Sequence, residues 1–306
     1  MKQLIDLAVQ AGFSACYVLR PDKFIHYERR LIDGVLDVAG RGLVCDPAVS
    51  LPWANVLLLL LMPYRPYVPE SGVSGNYPSS NRAYHAANNL LTQLDSSDIH
   101  AERVYVPIRE LALRSGIGTA CLNGLTAFGE YGTRVAVQTL AAYIPHPQYD
   151  VAMNRLMDSS VCDGCGRCIA ACPSGAITEN GYDFTKCARA YMQKNAMPDW
   201  VMDAMTSLLG CEICQFACPM NDNMLMDSCV PNAFDWERLL AGEVKSALAV
   251  VGKNLNSGGR LVAHAIVLAA HAGRSDLLPL IRPYADDPRP AVSSAAVYAI
   301  CRLPET

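Results

Sequence analysis

Residues 162–173, CDGCGRCIAACP, set Cys162, Cys165, Cys168 and Cys172 in the spacing C-x2-C-x2-C-x3-C-P. Three thiolates separated by two residues each can wrap one side of a cubane iron–sulfur cluster, and a fourth followed by proline turns away to ligate a second cluster. Zinc is the competing reading of closely spaced cysteines, but zinc sites pair two C-x2-C units and have no use for the final Cys-Pro. A second run, GCEICQFACPMND at residues 210–222, repeats the pattern with Cys211, Cys214 and Cys218, yet Leu208 stands where its first thiolate would fall. Two cubanes need about eight thiolates, and the two runs supply one fewer.

Cys187, in GYDFTKCARAY, and Cys229, in MDSCVPN, compete for the vacant role. Ferredoxin order requires the displaced ligand to precede Cys211, with the intervening chain looped out, and Cys187 satisfies that order. The expected sets are Cys162, Cys165, Cys168 and Cys218 for one cluster, and Cys187, Cys211, Cys214 and Cys172 for the other. Residues 188–210 then form an insertion, helical in its first part. Cys16, Cys45, Cys121, Cys229 and Cys301 read as small buried apolar residues.

The rest of the chain must position these ligands. Its 306 residues suffice for two or three domains, and with 51% hydrophobic and 18% charged residues it reads as globular. A net charge of -4 gives no electrostatic reason to expect nucleic acid or an acidic membrane as the main partner. Thirteen cysteines behind a start, MKQLIDLAVQAGF, that lacks a long apolar core point to metal binding in a reducing cytoplasm, not to a secreted disulfide scaffold. The run VLLLLLM at 56–62 is far short of the about 20 residues that span a membrane, and reads as a buried parallel strand.

Residues 2–11 place Leu4, Ile5, Leu7, Ala8 and Ala11 on one helical face, with Gly12 as a C-cap. FSACYVL at 13–19 has strand character, and the segment from there to Val49 has no clear pattern. From Pro63 to Asn81 runs a loop rich in Pro, Tyr, Ser and Gly, of the kind that serves as a lid, a binding loop or a plain connection. Residues 82–95 and 108–116 read as helices and 133–145 as a strand, so the first 150 residues suggest an α+β domain. Residues 151–235 hold the cluster ligands. In 236–306, the alanine-rich helices RLVAHAIVLAAHAG and RPAVSSAAVYAICRL, joined through ADDPRP, look like a HEAT-type repeat too short to stand alone, which should pack on the main body as an appendage.

The displaced cysteine, the GC-x2-CQ-x2-CP form of the second run and the HEAT-like tail resemble epoxyqueuosine reductase and its relatives. AVQAGFSACYV, MPYRPY, NRAYHAANNLL and LALRSGIG resemble, in the same order, that family's first helix and strand, its strand-ending Pro-Tyr, its Tyr-His helix and its Gly-x-Gly helix end. The resemblance implies a nitroreductase-like cobalamin-binding domain at 1–150, a two-cluster ferredoxin-like domain at 151–235 and HEAT-like helices at 236–306, in a protein also related to reductive dehalogenases. It implies two 4Fe-4S clusters and cobalamin as cofactors. Ferredoxin or flavodoxin would serve as the low-potential electron donor, and a small molecule or modified nucleoside as substrate. The family's proton-donating aspartate lies in a Val-Asp-x-x-Pro context; here Glu102 or Val104 occupies that place, depending on register. After Gly118 the chain reads TACLNGL, in which only Asn123 matches the family's element, and PIRELALRSGIG is closer to double-cluster relatives of unassigned activity.

Reducing cobalamin to its nucleophilic state needs a strong donor nearby, and clusters reach about -700 mV. No Asp-x-His-x-x-Gly element offers an axial histidine, so base-off binding is expected. Glu102 and Tyr105 are the candidate proton donors; Tyr64, Tyr84, His85 and Asn123 are the candidate cofactor contacts. Arg109 and Arg114 could hold amides or an anion. Each has a plain alternative as a surface or packing residue. No Walker loop or dinucleotide fingerprint is present. Three readings compete: a cobalamin-dependent reductase, an electron-transfer or reductive-activating protein for a corrinoid partner, and a corrinoid storage protein. For tRNA, residues 241–306 carry seven Lys or Arg against five Asp or Glu, a net of +2, too little to mark an RNA-binding face.

Overall fold

The computed structural model describes residues 2–27, 43–150, 162–192 and 194–304; the expected start of the cysteine-rich segment at residue 151 lies outside them. The chain groups into two compact units, one formed by 1–64 and 82–165, the other by 65–81 and 166–306.

In the first unit, four strands form an antiparallel sheet: β1 (Ala15–Leu19), β2 (Val56–Pro63), β3 (Ala101–Arg103) and β4 (Val135–Ala142), in the spatial order β1-β2-β4-β3. The leucine run is β2, but it pairs antiparallel with both neighbours, Cys16 opposite Leu60 and Leu58 opposite Leu140, which corrects the expectation of a parallel strand. What the unbroken apolar run reports is burial of both faces, and that does not require parallel pairing. Val56, Leu58 and Leu60 pack with Leu4, Ala8, Leu90 and Leu94 on one face. Leu57, Leu59 and Leu61 pack with Phe24, Leu111 and Phe128 on the other. The first face is covered by the expected helix Lys2–Gln10 and by the helix Asn76–Asp95. That second helix starts earlier than expected, because Pro78 falls in its first turn, where a missing N–H costs nothing.

The loop expected over 63–81 is shorter and more ordered than its composition suggests. It holds a 3-10 turn at Pro69–Ser71 and, before the helix at Asn76, two parallel bridges, Tyr67 with Asp227 and Val73 with Leu208. These residues belong to the second unit.

The second unit is helical around one core. The helix Arg260–His271 buries Leu261 to Ala269 without a break. It shares that core with Met192, Met197, Val201, Met202, Met205 and Leu209 of the 188–210 insertion and with Val292, Ala295 and Ala299 of the helix Pro290–Ile300. Gly259 opens the helix at φ +74, and a Cβ there would lie 2.6 Å from the Val292 side chain, so only glycine fits the crossing. Among its described residues the insertion is helical only at Ala188–Tyr191 and Asp199–Asp203. Among the described residues no helix is long and apolar enough to cross a membrane.

Candidate iron–sulfur and cofactor site

In the second unit Cys168, Cys172, Cys187, Cys211 and Cys214 are electrostatic neighbours. Burial raises the Cys211 thiol first, with Cys187 and Cys172 near enough to raise it further. Cys214 is pushed up to about 12 by burial and then by Cys211, Cys187, Cys168 and Cys172. Such crowding costs free thiolates dearly and becomes favourable when a cation-bearing centre takes their charge. Burial also raises Cys172, yet the Ser174 hydroxyl, 3.6 Å away, and the backbone N–H groups of Ser174, Ala176 and Ile177 outweigh it and leave the thiol below its ordinary value. Burial pushes the Tyr182 phenol up, and the neighbouring Cys187 side chain pushes it further. No three His, Cys, Asp or Glu side chains among the described residues stand close enough to hold a single metal ion. A cubane binds its ligands at the corners of a four-iron core, farther apart than the ligands of one ion.

The local chain explains the placement. Cys187 follows a small hairpin, Ile177–Thr178 with Gly181–Tyr182, and a 3-10 turn capped by the Asp183 carboxylate, which accepts from Thr185 N–H at 3.0 Å. Cys211 and Cys214 flank Glu212, a buried carboxylate that accepts from Gly75 N–H at 3.0 Å. Cys229 is exposed, its N–H bonded to Asp227.

Of the other expected ligand set, Cys162 and Cys165 fall in the first unit and Cys168 and Cys218 in the second. Gly164 and Gly166 turn the run at φ +70 and +60. Leu122 N–H donates to the Cys162 sulfur at 3.4 Å. The turn that presents this N–H is strapped by Arg109, whose Nη1 donates to the carbonyls of Gly124 and Leu125 at 2.7 and 2.6 Å. Arg109, read from the sequence as a possible anion ligand, thus holds backbone. Arg114 does likewise, bonded to Lys23 O and Asp22 O with its guanidinium over Phe24.

The remaining candidates lie in the first unit. Tyr84 and Tyr105 both approach Arg103, whose guanidinium stands 4.2 Å from the Tyr84 ring centroid and donates to Asn88 and Gln138. His85 packs edge-on to Tyr84 and is exposed. Glu102 points to the opposite side of β3 from Arg103, as strand alternation requires, and pairs with exposed His100 at 3.5 Å. Tyr64 is buried at the end of β2, its N–H donating to Arg134 O. Asn123 is buried; its Oδ1 accepts from Leu125 N–H, and its Nδ2 has no hydrogen-bond partner. Sequence reasoning missed Arg103, Tyr182 and the Leu122 N–H. Arg103 alternates with Glu102 on β3, and Tyr182 lies within the quoted GYDFTKC, but nothing local marks a backbone donor.

Residues 161–221 match the 4Fe-4S double cluster binding domain. The chain is 26% identical to epoxyqueuosine reductase of Bacillus cereus over 209 residues, 64% of this chain and 53% of that one. Against the Bacillus subtilis enzyme it is 28% identical with the same coverage. It thus matches about half the length of these curated relatives. A solved epoxyqueuosine reductase with an epoxyqueuosine-modified tRNA-Tyr stem loop superposes at TM-score 0.77, 22% identity, covering 98% of this chain and 89% of that chain. The Streptococcus thermophilus enzyme superposes at 0.74, 19% identity, covering 99% and 90%. These two likenesses establish the fold alone. The chain is thus similar to the epoxyqueuosine reductases, and its residues 161–221 match the 4Fe-4S double cluster binding domain.

Proposed function

We propose that this protein is an iron–sulfur reductase that uses cobalamin to reduce a modified nucleoside in tRNA. The observation that supports the reading best is that Cys187 lies near Cys172, Cys211 and Cys214, as a fourth thiol for the incomplete second run would. The relatives' names and the stem-loop complex of one neighbour support the substrate class. Cys162, Cys165, Cys168 and Cys218 hold the first cluster; Cys172, Cys187, Cys211 and Cys214 hold the second. Residues 1–150 form the nitroreductase-like cobalamin domain, 151–235 the ferredoxin-like domain and 236–306 HEAT-like helices. A ferredoxin or flavodoxin supplies the electrons, and the protein works in the cytoplasm.

Bound cobalamin would supply a strongly reducing centre for removal of an epoxide oxygen, which consumes an electron pair and two protons and releases water. The buried Asn123 Nδ2 can donate to a cofactor amide. Tyr64, Tyr84 and His85 complete the contacts we assign to it. Glu102 and Tyr105 are the proton donors on offer, both reachable from solvent. Replacing the true donor, by Glu102→Gln or Tyr105→Phe, should slow turnover by about a hundredfold or more.

Anaerobic reconstitution with iron, sulfide and cobalamin, read by absorbance and EPR, tests the cofactors. About eight irons per chain with a base-off cobalt signal supports the reading; a full iron complement without corrinoid uptake overturns it in favour of an electron carrier. Mass spectrometry of an epoxyqueuosine-modified stem loop tests the substrate: loss of one oxygen supports it, and no change under full cofactor loading sinks it.

A further inference from the structure

His264 lies in the middle of the helix Arg260–His271 and is fully buried. Leu209 N–H donates to its Nδ1 at 3.0 Å, and its Nε2 stands 3.1 Å from the carbonyl oxygen of Met192. Since Nδ1 accepts, Nε2 carries the hydrogen, and one neutral tautomer satisfies both bonds. The two partners are the two ends of the looped-out segment: Met192 follows Cys187, and Leu209 precedes Cys211. Leu209 has φ +66, a conformation that a residue with a branched side chain holds only where its surroundings fix it. The opposite edge of that peptide is fixed as well, since Leu208 N–H donates to Gly72 O at 2.7 Å and Ser74 N–H to Leu208 O at 3.2 Å. Two turns along the helix, His271 Nδ1 lies 3.0 Å from Met205 O, so the same helix holds a third point of the segment. A leucine would fill the core volume at 264 equally well; only a side chain with an acceptor and a donor on opposite edges ties two distant backbone groups together.

We infer that His264 is a positioning residue for the second cluster, clasping the ends of the 188–210 insertion so that Cys187 and Cys211 can serve one centre. This rests on the ligand assignment proposed above. The C-terminal helices thereby act as the mount of that centre.

The test uses the full chain reconstituted anaerobically with iron and sulfide, with iron content, EPR of the reduced protein and the midpoint potential of each cluster as readouts. His264→Leu should lose the second cluster's signal and about half the iron while the first cluster's signal persists. His264→Asn, whose carboxamide oxygen can still accept from Leu209 N–H, should keep the cluster with a shifted potential. Ile266→Ala, a cavity in the same helix without a polar atom in the clasp, should keep both clusters unshifted. Unchanged iron and potentials in both His264 variants overturn the inference, as does loss of the second cluster in Ile266→Ala at equal thermal stability. If His264→Leu does not fold, His264→Asn decides. Cys187→Ala separates the two levels. Both clusters surviving it defeats the ligand assignment and the clasp together; loss of the second cluster there, with His264 variants unchanged, defeats the clasp alone.

Discussion

The two cysteine runs have nearly the same sequence and are held by different physics. The first is continuous: glycines at positive φ and the short helix Arg167–Ala171 turn it locally, so its spacing already encodes where its thiols point. The second is interrupted, and its thiols are collected by elements from across the unit: the hairpin before Cys187, the bridge from Val73 to Leu208, the Gly75 bond to Glu212 and the His264 clasp. A continuous motif is shaped largely by its own backbone. A split one depends on the packing of the whole unit, and every prediction below probes that dependence.

The largest expected effect is on Cys187. Cys187→Ala should remove one cluster and about half of the iron, whereas Cys229→Ala should leave iron content and both EPR signals as they are. The opposite result would move the eighth ligand downstream of the second run and erase the contrast between the runs.

Next comes pH. Burial holds His264 down to about 4, with Arg260 on the same helix adding to the shift against the Met192 bond. The unfolded chain binds a proton on this histidine below about 6.5 and the folded chain does not until about 4, so stability is full above 6.5 and falls as pH drops between those values. The loss from this group should be about 3 kcal/mol, read as the difference in denaturant midpoints between the native protein and His264→Asn across that range. An identical pH profile for the two would refute it.

Gly259→Ala should cost about 2 kcal/mol, from the left-handed backbone and the contact with Val292. Thermal unfolding measures it. Iron retention should fall in step at raised temperature, since the crossing of the last two long helices carries the mount of the second cluster. A variant as stable as the native protein would mean that the helices yield freely at this crossing.

How much of this was legible in the sequence follows the same division. The helix at 2–10 and the strands at 15–19 and 135–142 have local signatures that periodicity found, and the proposed ligands of the first run rest on a local spacing as well. The leucine run was recognised as a buried strand, but its direction depends on β1 and β4, which no pattern within residues 56–62 encodes. Cys187 was reached only through the ordering of ligands in the cluster motif. The role of His264 had no signal at all, because a histidine inside RLVAHAIVLAAHAG looks like any polar residue on an alanine-rich helix. The candidate acids fared differently: Glu102 and Tyr105 were named from register and chain position, and the structure places both at the surface, one beside His100 and the other near Arg103.

The smallest effect distinguishes holding a ligand from tuning it. Tyr182 stands beside Cys187, the proposed ligand, and a hydroxyl that donates to a ligand sulfur stabilises the reduced, more negative cluster and raises its potential. Tyr182→Phe removes the donor and keeps the ring, so the second cluster should stay fully loaded while its midpoint potential falls. A net hydrogen bond is worth about 1 kcal/mol, which for one electron corresponds to about 40 mV. The first cluster, whose sulfur donor is the Leu122 backbone N–H on Cys162, should not move. A redox titration that shifts both clusters equally would show that Tyr182 acts through the general field of the unit and not through Cys187. Loss of iron instead of a shift would place Tyr182 with His264 among the groups that build the second centre.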